Sequence, residues 1–131
     1  MKYKSPNAHL IVSALLLLPI ALGYGLWPAT ILPIYFKIEI NTTDLTHVFR
    51  AMMGLYLGMV LFWIWGIYDS KYWIPATLSN VVFMGGLAIG RVCSIVLDGF
   101  PATLFVFGAV VEGLLAFWGW VNLKKGGYFL F

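Results

Sequence analysis

An all-α integral membrane bundle of four antiparallel, up-and-down helices is the fold this sequence predicts. Three observations predict it. Of the 131 residues, 62% are hydrophobic and only 10% charged, against about 25% charged in an ordinary soluble domain. Four apolar stretches are each long enough to cross a bilayer, which takes about 20 residues in a helix. The lysines gather at alternate ends of those stretches. A mean hydropathy of +0.93 excludes a soluble globular enzyme and intrinsic disorder. With Cys93 as the only cysteine, a disulfide scaffold is excluded too. Four strands could not close a barrel, so helices are the only spanning structure open to so short a chain.

The first span runs from about His9 to Trp27 and has no charge between Leu10 and Phe36. Lys2 and Lys4 followed by apolar Leu10 to Leu22 imitate a signal peptide, but Ala21-Leu22-Gly23 is a poor cleavage site, and the segment reads as a retained helix bent near Pro19. The second span runs from about Thr46 to Tyr68, the third from Tyr72 to Leu97 and the fourth from Ala102 to Leu123. The long connection, 28–45, alternates apolar Ile34, Phe36, Ile38 and Ile40 with Tyr35, Lys37 and Glu39, a period of two that predicts an extended arm on the outer surface. Asn41-Thr42-Thr43 fits a glycosylation sequon; Thr43 or Asp44 is expected to cap the second helix. Asp69-Ser70-Lys71 and Asp98-Gly99-Phe100-Pro101 are tight turns that force antiparallel neighbours. No repeat, linker or low-complexity tract divides the chain, so 1–131 reads as one transmembrane domain.

Lys2 and Lys4, Lys71, and Lys124 and Lys125 share one side of a four-crossing bundle, while Lys37 on the other is offset by Glu39 and Asp44. The positive-inside rule puts both termini in the cytoplasm. Trp63, Trp65, Trp73, Trp118 and Trp120 are expected in the interfacial belt on that side and Trp27 at the other. The net charge of +3 comes without a basic run, so the lipid bilayer and not a nucleic acid is the expected partner.

Ionisable residues inside a span cost about 2.5–3.5 kcal/mol on insertion scales, so they turn toward a bundle interior. Here they are His47, Arg50, Arg91, Asp98 and Glu112. Arg91 lies about 9 Å below the outer end of its helix and Glu112 about 16 Å below the start of the next, at about 1.5 Å per residue. Side chains lean toward their own helix N-terminus, so Arg91 leans inward and Glu112 outward, and an ion pair is expected. Asn80, Met84, Leu87, Arg91, Ser94 and Asp98 form one helical stripe. Gly54-xxx-Gly58, Gly86-xxx-Gly90 and Gly108 lie on or beside the polar stripes and are expected to let helices approach closely. Each polar residue also has a plainer role. Arg50 reaches an interface or Asp44, Asp98 serves its turn, and His47 is a satisfied polar residue at a helix start. Arg91 with Glu112 either fixes helix register or holds a ligand or proton.

Arg50-Ala51-Met52-Met53-Gly54, Gly90-Arg91, Asp98-Gly99 and a carboxylate, Glu112, in the last helix resemble a family of small uncharacterised bacterial membrane proteins, a domain of unknown function, over about Asp44 to Gly119. The resemblance implies a four-helix membrane bundle in a bacterial inner membrane and carries no activity. There is no Gly-x-Ser-x-Gly, HExxH, Walker or Cys-x-x-Cys motif, so no catalytic residue, metal or cofactor is expected. Two functions fit. One is a non-enzymatic accessory subunit that packs against other membrane proteins or itself, with the apolar tail from Gly126 to Phe131 docking on a partner. The other is a small carrier or binding protein for an anionic or protonatable small molecule or lipid, held by Arg50 and Arg91 with Glu112 exchanging a proton.

Overall fold

The structure, a computed structural model, describes residues 6–128. Five α-helices follow one another, with no strand among the described residues: α1 (Ala8–Gly25), α2 (Pro28–Phe36), α3 (Thr43–Tyr68), α4 (Trp73–Asp98) and α5 (Thr103–Lys125). All but α2 are long and apolar enough to span a membrane, and they pack together as a four-helix bundle, so the chain is an integral membrane protein. The described chain ends and the α3–α4 turn share one face, here the terminal face. The α2 connection and the α4–α5 turn form the opposite, or loop, face.

Local sequence sets each boundary. Thr42, in extended backbone, accepts the Leu45 N–H at 3.1 Å and starts α3, so it takes the capping role expected of Thr43 or Asp44. Asp69 accepts the Lys71 N–H at 3.0 Å and folds Ser70–Tyr72 into a single 3₁₀ turn that reverses the chain into α4. Gly99, at φ 92°, turns the chain out of α4 in a conformation that L side chains rarely adopt. Lys124 and Lys125 occupy the last turn of α5, where cations complement the helix dipole.

The expected extended arm is corrected in its first half. Pro28 fixes φ at the first helical position, where no N–H is needed, and the N–H groups of Thr30 and Ile31 return to the Trp27 carbonyl at 3.1 and 2.9 Å. Residues 28–36 are therefore helical. The helix ends where Lys37 adopts φ 56° and the Lys37 and Ile38 N–H groups close on the Leu32 carbonyl. From Phe36 to Ile40 the alternation still sorts the side chains: Phe36, Ile38 and Ile40 pack on the core, while Lys37 and Glu39 are exposed.

α1 packs chiefly on α3 and α4 chiefly on α5. Leu10, Ala14, Leu17, Ala21 and Tyr24, spaced 4, 3, 4 and 3, form the buried stripe of α1. At the terminal face the pairs are tied together. Trp63 Nε1 donates to Ser79 Oγ at 3.1 Å, and Trp73 Nε1 to the Pro6 carbonyl at 3.3 Å. Trp63 and Trp73 are fully buried, so they belong to the core and not to the interfacial belt expected of them; Trp65, Trp118 and Trp120 are exposed. Gly126–Tyr128 curls back, bringing the Tyr128 ring 5.9 Å from that of Trp73. The rest of the tail expected to dock on a partner, 129–131, lies outside the described residues.

The close helix contacts are not at the expected glycines. Gly54, Gly58, Gly86 and Gly90 have open space where a Cβ would stand, and Gly108 has only ordinary contacts. A pattern of small residues marks where approach is possible, and the buried stripes decide where it happens. Here Gly66 abuts Ala76 and the Tyr72 carbonyl, Gly25 abuts Met53, and Gly119 abuts Val81. Gly66→Val should therefore lower stability by about 1–3 kcal/mol through overpacking. Gly58→Ala should leave it unchanged or raise it by about 0.5–1 kcal/mol through helix propensity. Unfolding titrations of both variants in detergent check the contrast.

Candidate functional site

The bundle interior holds two separate polar groups, one in each half. The first joins α4 to α5 in the loop half. Arg91 Nε donates to Glu112 Oε2 at 2.7 Å and Nη2 donates to Oε1 at 3.0 Å, a two-pronged ion pair with each carboxylate oxygen engaged once. The side chains are only 23% and 12% exposed. Antiparallel α4 and α5 bring the residues level, and the opposed lean of their side chains closes the remaining gap. The guanidinium also stands 5.3 Å from the centre of the Phe105 ring.

Tyr24 of α1 and Tyr56 of α3 share the wall of one cavity with Arg91. The sequence offered a signal for them: Tyr24 ends the apolar stripe of α1, where a polar-tipped ring finds a partner inside the bundle. The other ionisable residues do not join. His47 and Arg50 are exposed near the start of α3. Asp98 is exposed at the end of α4, accepting from Ser94 Oγ at 3.3 Å. His47 and Arg50 lie in the opening turns of α3 and Asp98 ends α4, where a side chain reaches the interface, so burial is not forced on them. Gly108 lies beside the pair, a Cβ there standing 3.9 Å from Arg91 Nε and from Glu112 Oε1. Gly86 and Gly90 line a cavity and not a helix contact.

Two cavities, here called lobes, flank the pair and share Tyr24, Phe105 and Arg91 as wall. The larger, about 430 Å³, opens between α3 and α4 past Phe49, Met52, Tyr56, Gly86 and Gly90. The smaller, about 150 Å³, opens between α1 and α5 past Leu16, Ile20, Leu104 and Phe107 and has Glu112 in its wall. Both lobes are mostly apolar, the larger also carrying Ser94, and exposed residues line each: Leu16, Ile20, Leu104 and Phe107 the smaller, Gly86, Gly90 and Ser94 the larger. Rings hold the helices apart here: Tyr24 packs on Phe36, Phe49 and Tyr56 at centroid distances of 5.5, 5.4 and 5.8 Å, and Phe36 on Phe105 at 4.8 Å.

The second polar group, in the terminal half, was missed as a site by sequence reasoning. His9 is fully buried between α1, α4 and α5. Asn122 Nδ2 lies 2.9 Å from His9 Nδ1, and Thr77 Oγ1 lies 3.1 Å from Nε2. With the amide donating to Nδ1, the neutral ring carries its proton on Nε2 and donates to the threonine. Ser13 and Asn80 are also fully buried, and neither Ser13 Oγ nor either amide atom of Asn80 has a partner among the described residues. The available signal was the spacing of His9 and Ser13, one helical turn apart on the face that carries Ala14 and Leu17. Among the described residues, no three of His, Cys, Asp and Glu stand together as metal ligands.

Residues 6–123 match the family described as a domain of unknown function, DUF4345, and the chain belongs to that family. No curated protein and no solved structure matches it. The matched span takes in both polar groups, since His9, Arg91, Glu112 and Asn122 all fall inside it.

The partnered and the unpartnered buried polar side chains of the terminal half should respond oppositely to apolar replacement. His9→Leu strands the Thr77 hydroxyl and the Asn122 amide and should cost about 1–3 kcal/mol. Asn80→Leu removes an amide that is already unpartnered and should be neutral or stabilising by about 1–3 kcal/mol. Unfolding midpoints of the two variants in the same detergent decide it.

Proposed function

We propose that this protein is a non-enzymatic, membrane-embedded binding protein for a lipid-like amphiphile. Its polar head would meet the Arg91–Glu112 pair and its apolar part would fill the lobes beside it. One observation carries this: the most costly charges in the bundle line cavities that are also walled by exposed residues of the spanning helices. A pair serving only to fix helix register gains nothing from those cavities, because loose walls weaken packing around it. Tyr24 and Tyr56 add polar tips at the same point, and the remaining wall is apolar, as ligand sites usually are. No nucleophile and base stand together there, and binding alone accounts for the residues present.

The expected outcome is that the purified protein retains lipid through native mass spectrometry. Arg91→Gln should weaken that retention about tenfold, the value of one hydrogen bond to a charged group. Tyr24→Phe should weaken it less. Wild-type protein that retains no lipid overturns the proposal. If that protein also forms a stable assembly that Gly54→Leu and Gly58→Leu break apart, an accessory or self-packing subunit is the function instead. The bare glycine stripe on α3, which packs against nothing in the bundle, is the feature that would serve it.

The proposal includes a bacterial inner membrane with the terminal face cytoplasmic, supported by the lysines at positions 2, 4, 71, 124 and 125. In a Cys93→Ser background, a membrane-impermeant maleimide added to intact spheroplasts should label Lys37→Cys and spare Lys71→Cys. The reverse pattern refutes the orientation.

A further inference from the structure

Resting on the binding function just proposed, the geometry points to an uncharged, oxygen-headed lipid as the ligand, and specifically to a hydroxyl head and not an anionic one. The charge of the site decides this. Arg91 and Glu112 are the only charged residues among those lining either lobe, and they neutralise each other through two hydrogen bonds. Arg50, the second cation available in the sequence, is exposed and lines neither lobe. A phosphate or carboxylate entering the cavity would meet a guanidinium already paired and a carboxylate of its own sign beside it. It would also leave water for an apolar wall, which is costly for an ion without a free partner.

A hydroxyl avoids both costs. It is neutral, and it has one donor and two acceptor positions. The guanidinium commits Nε and one Nη2 hydrogen to Glu112, which leaves Nη1 and the other Nη2 hydrogen outside that pair on a residue that lines both lobes. A lipid hydroxyl fits between those N–H groups and the carboxylate, accepting from the first and donating to the second. Tyr24 lines both lobes and Tyr56 the larger one, and each carries a hydroxyl of the same kind. The two lobes leave the pair in different directions, one between α3 and α4 and one between α1 and α5. A two-chain lipid such as a diacylglycerol and a one-chain alcohol share this head chemistry and differ in how many lobes they occupy.

The test uses lipids that differ only at the head. Full-length protein in detergent is titrated with dioctanoylglycerol and with dioctanoyl phosphatidic acid, with saturable binding read by native mass spectrometry. Decanol, decanoate and decylamine form a one-chain series. Wild-type protein should prefer dioctanoylglycerol to the phosphatidic acid, and decanol to both charged analogues, by about tenfold, the worth of one charged hydrogen bond. Glu112→Gln leaves Arg91 without a counter-ion, and the preference should move by about tenfold or more toward phosphatidic acid and decanoate. The double variant Arg91→Gln, Glu112→Gln should gain no affinity for either anion. Dioctanoylglycerol outbinding decanol assigns the two-chain source; equal binding assigns the one-chain source. Tighter binding of the anion by wild-type protein overturns the inference and leaves the binding function standing. So does an unchanged ratio in Glu112→Gln. Absence of saturable binding for every probe overturns both. If Glu112→Gln fails to fold, the wild-type ratio decides alone.

Discussion

Arg91 and Glu112 hold their places in hydrocarbon only through each other. A lone guanidinium or carboxylate at that depth loses its hydration and has nothing to replace it. The pair restores a counter-charge and a hydrogen bond to each carboxylate oxygen. That requirement fixes the register of α4 against α5, because Arg91 and Glu112 meet only where their opposed side-chain leans converge. With α4 and α5 locked, α1 and α3 contribute Tyr24 and Tyr56 to the same spot, and the polar tips in the loop half converge on one point.

The helices do not pack with equal closeness along their length. Near the terminal face, small residues meet: Gly66 against Ala76, and Gly119 against Val81. Toward the loop face only Gly25 meets a neighbour so closely, at Met53, and rings fill the space around it. Tyr24, Phe36, Phe49, Tyr56 and Phe105 touch edge to face or tilted, and rings so arranged keep their centres about 4.5–7 Å apart. Rigid rings that cannot interdigitate as finely as aliphatic chains leave room between helices, and the lobes are that room. The opening beside Arg91 thus follows from where the sequence puts aromatic residues and where it puts glycine and alanine.

What the sequence made legible was set by large penalties. The four spans could be read because unpaired backbone is prohibitive in lipid, and the helices found, 8–25, 43–68, 73–98 and 103–125, follow the expected stretches within a few residues. The approach of Arg91 to Glu112 could be read because no other burial was open to either. What escaped was governed by small differences. Gly54, Gly58, Gly86 and Gly90 permit close packing but nothing compels it, and larger neighbours drew the contacts to Gly66 and Gly119. His47, Arg50 and Asp98 lie within reach of an interface, so no penalty turns them inward. The helix over Pro28–Phe36 was hidden because Pro33 and the alternation beyond it suggest extended chain, although a proline at the first helical position starts a helix well. His9 sits at the very start of its span, where sequence cannot separate a buried residue from an interfacial one.

The two polar groups are kept apart by apolar packing. From His9 toward Arg91 the interior holds first the buried, unpartnered Ser13 and Asn80 and then Leu17 and Met84, which carry no hydrogen-bonding hydroxyl or amide side chain. A proton pathway across the bundle would need a chain of hydrogen-bonding groups through that layer. The interior instead divides into a terminal half, where His9, Thr77 and Asn122 satisfy one another, and a loop half, where the pair faces open lobes. The first arrangement closes on itself and rigidifies three helices. The second leaves part of the guanidinium edge, two nearby tyrosines and lobes walled in part by exposed residues. The half of the molecule able to take a ligand is thus set apart from the half that holds the bundle together, and a ligand can enter or leave from lipid without disturbing the packing at the terminal face.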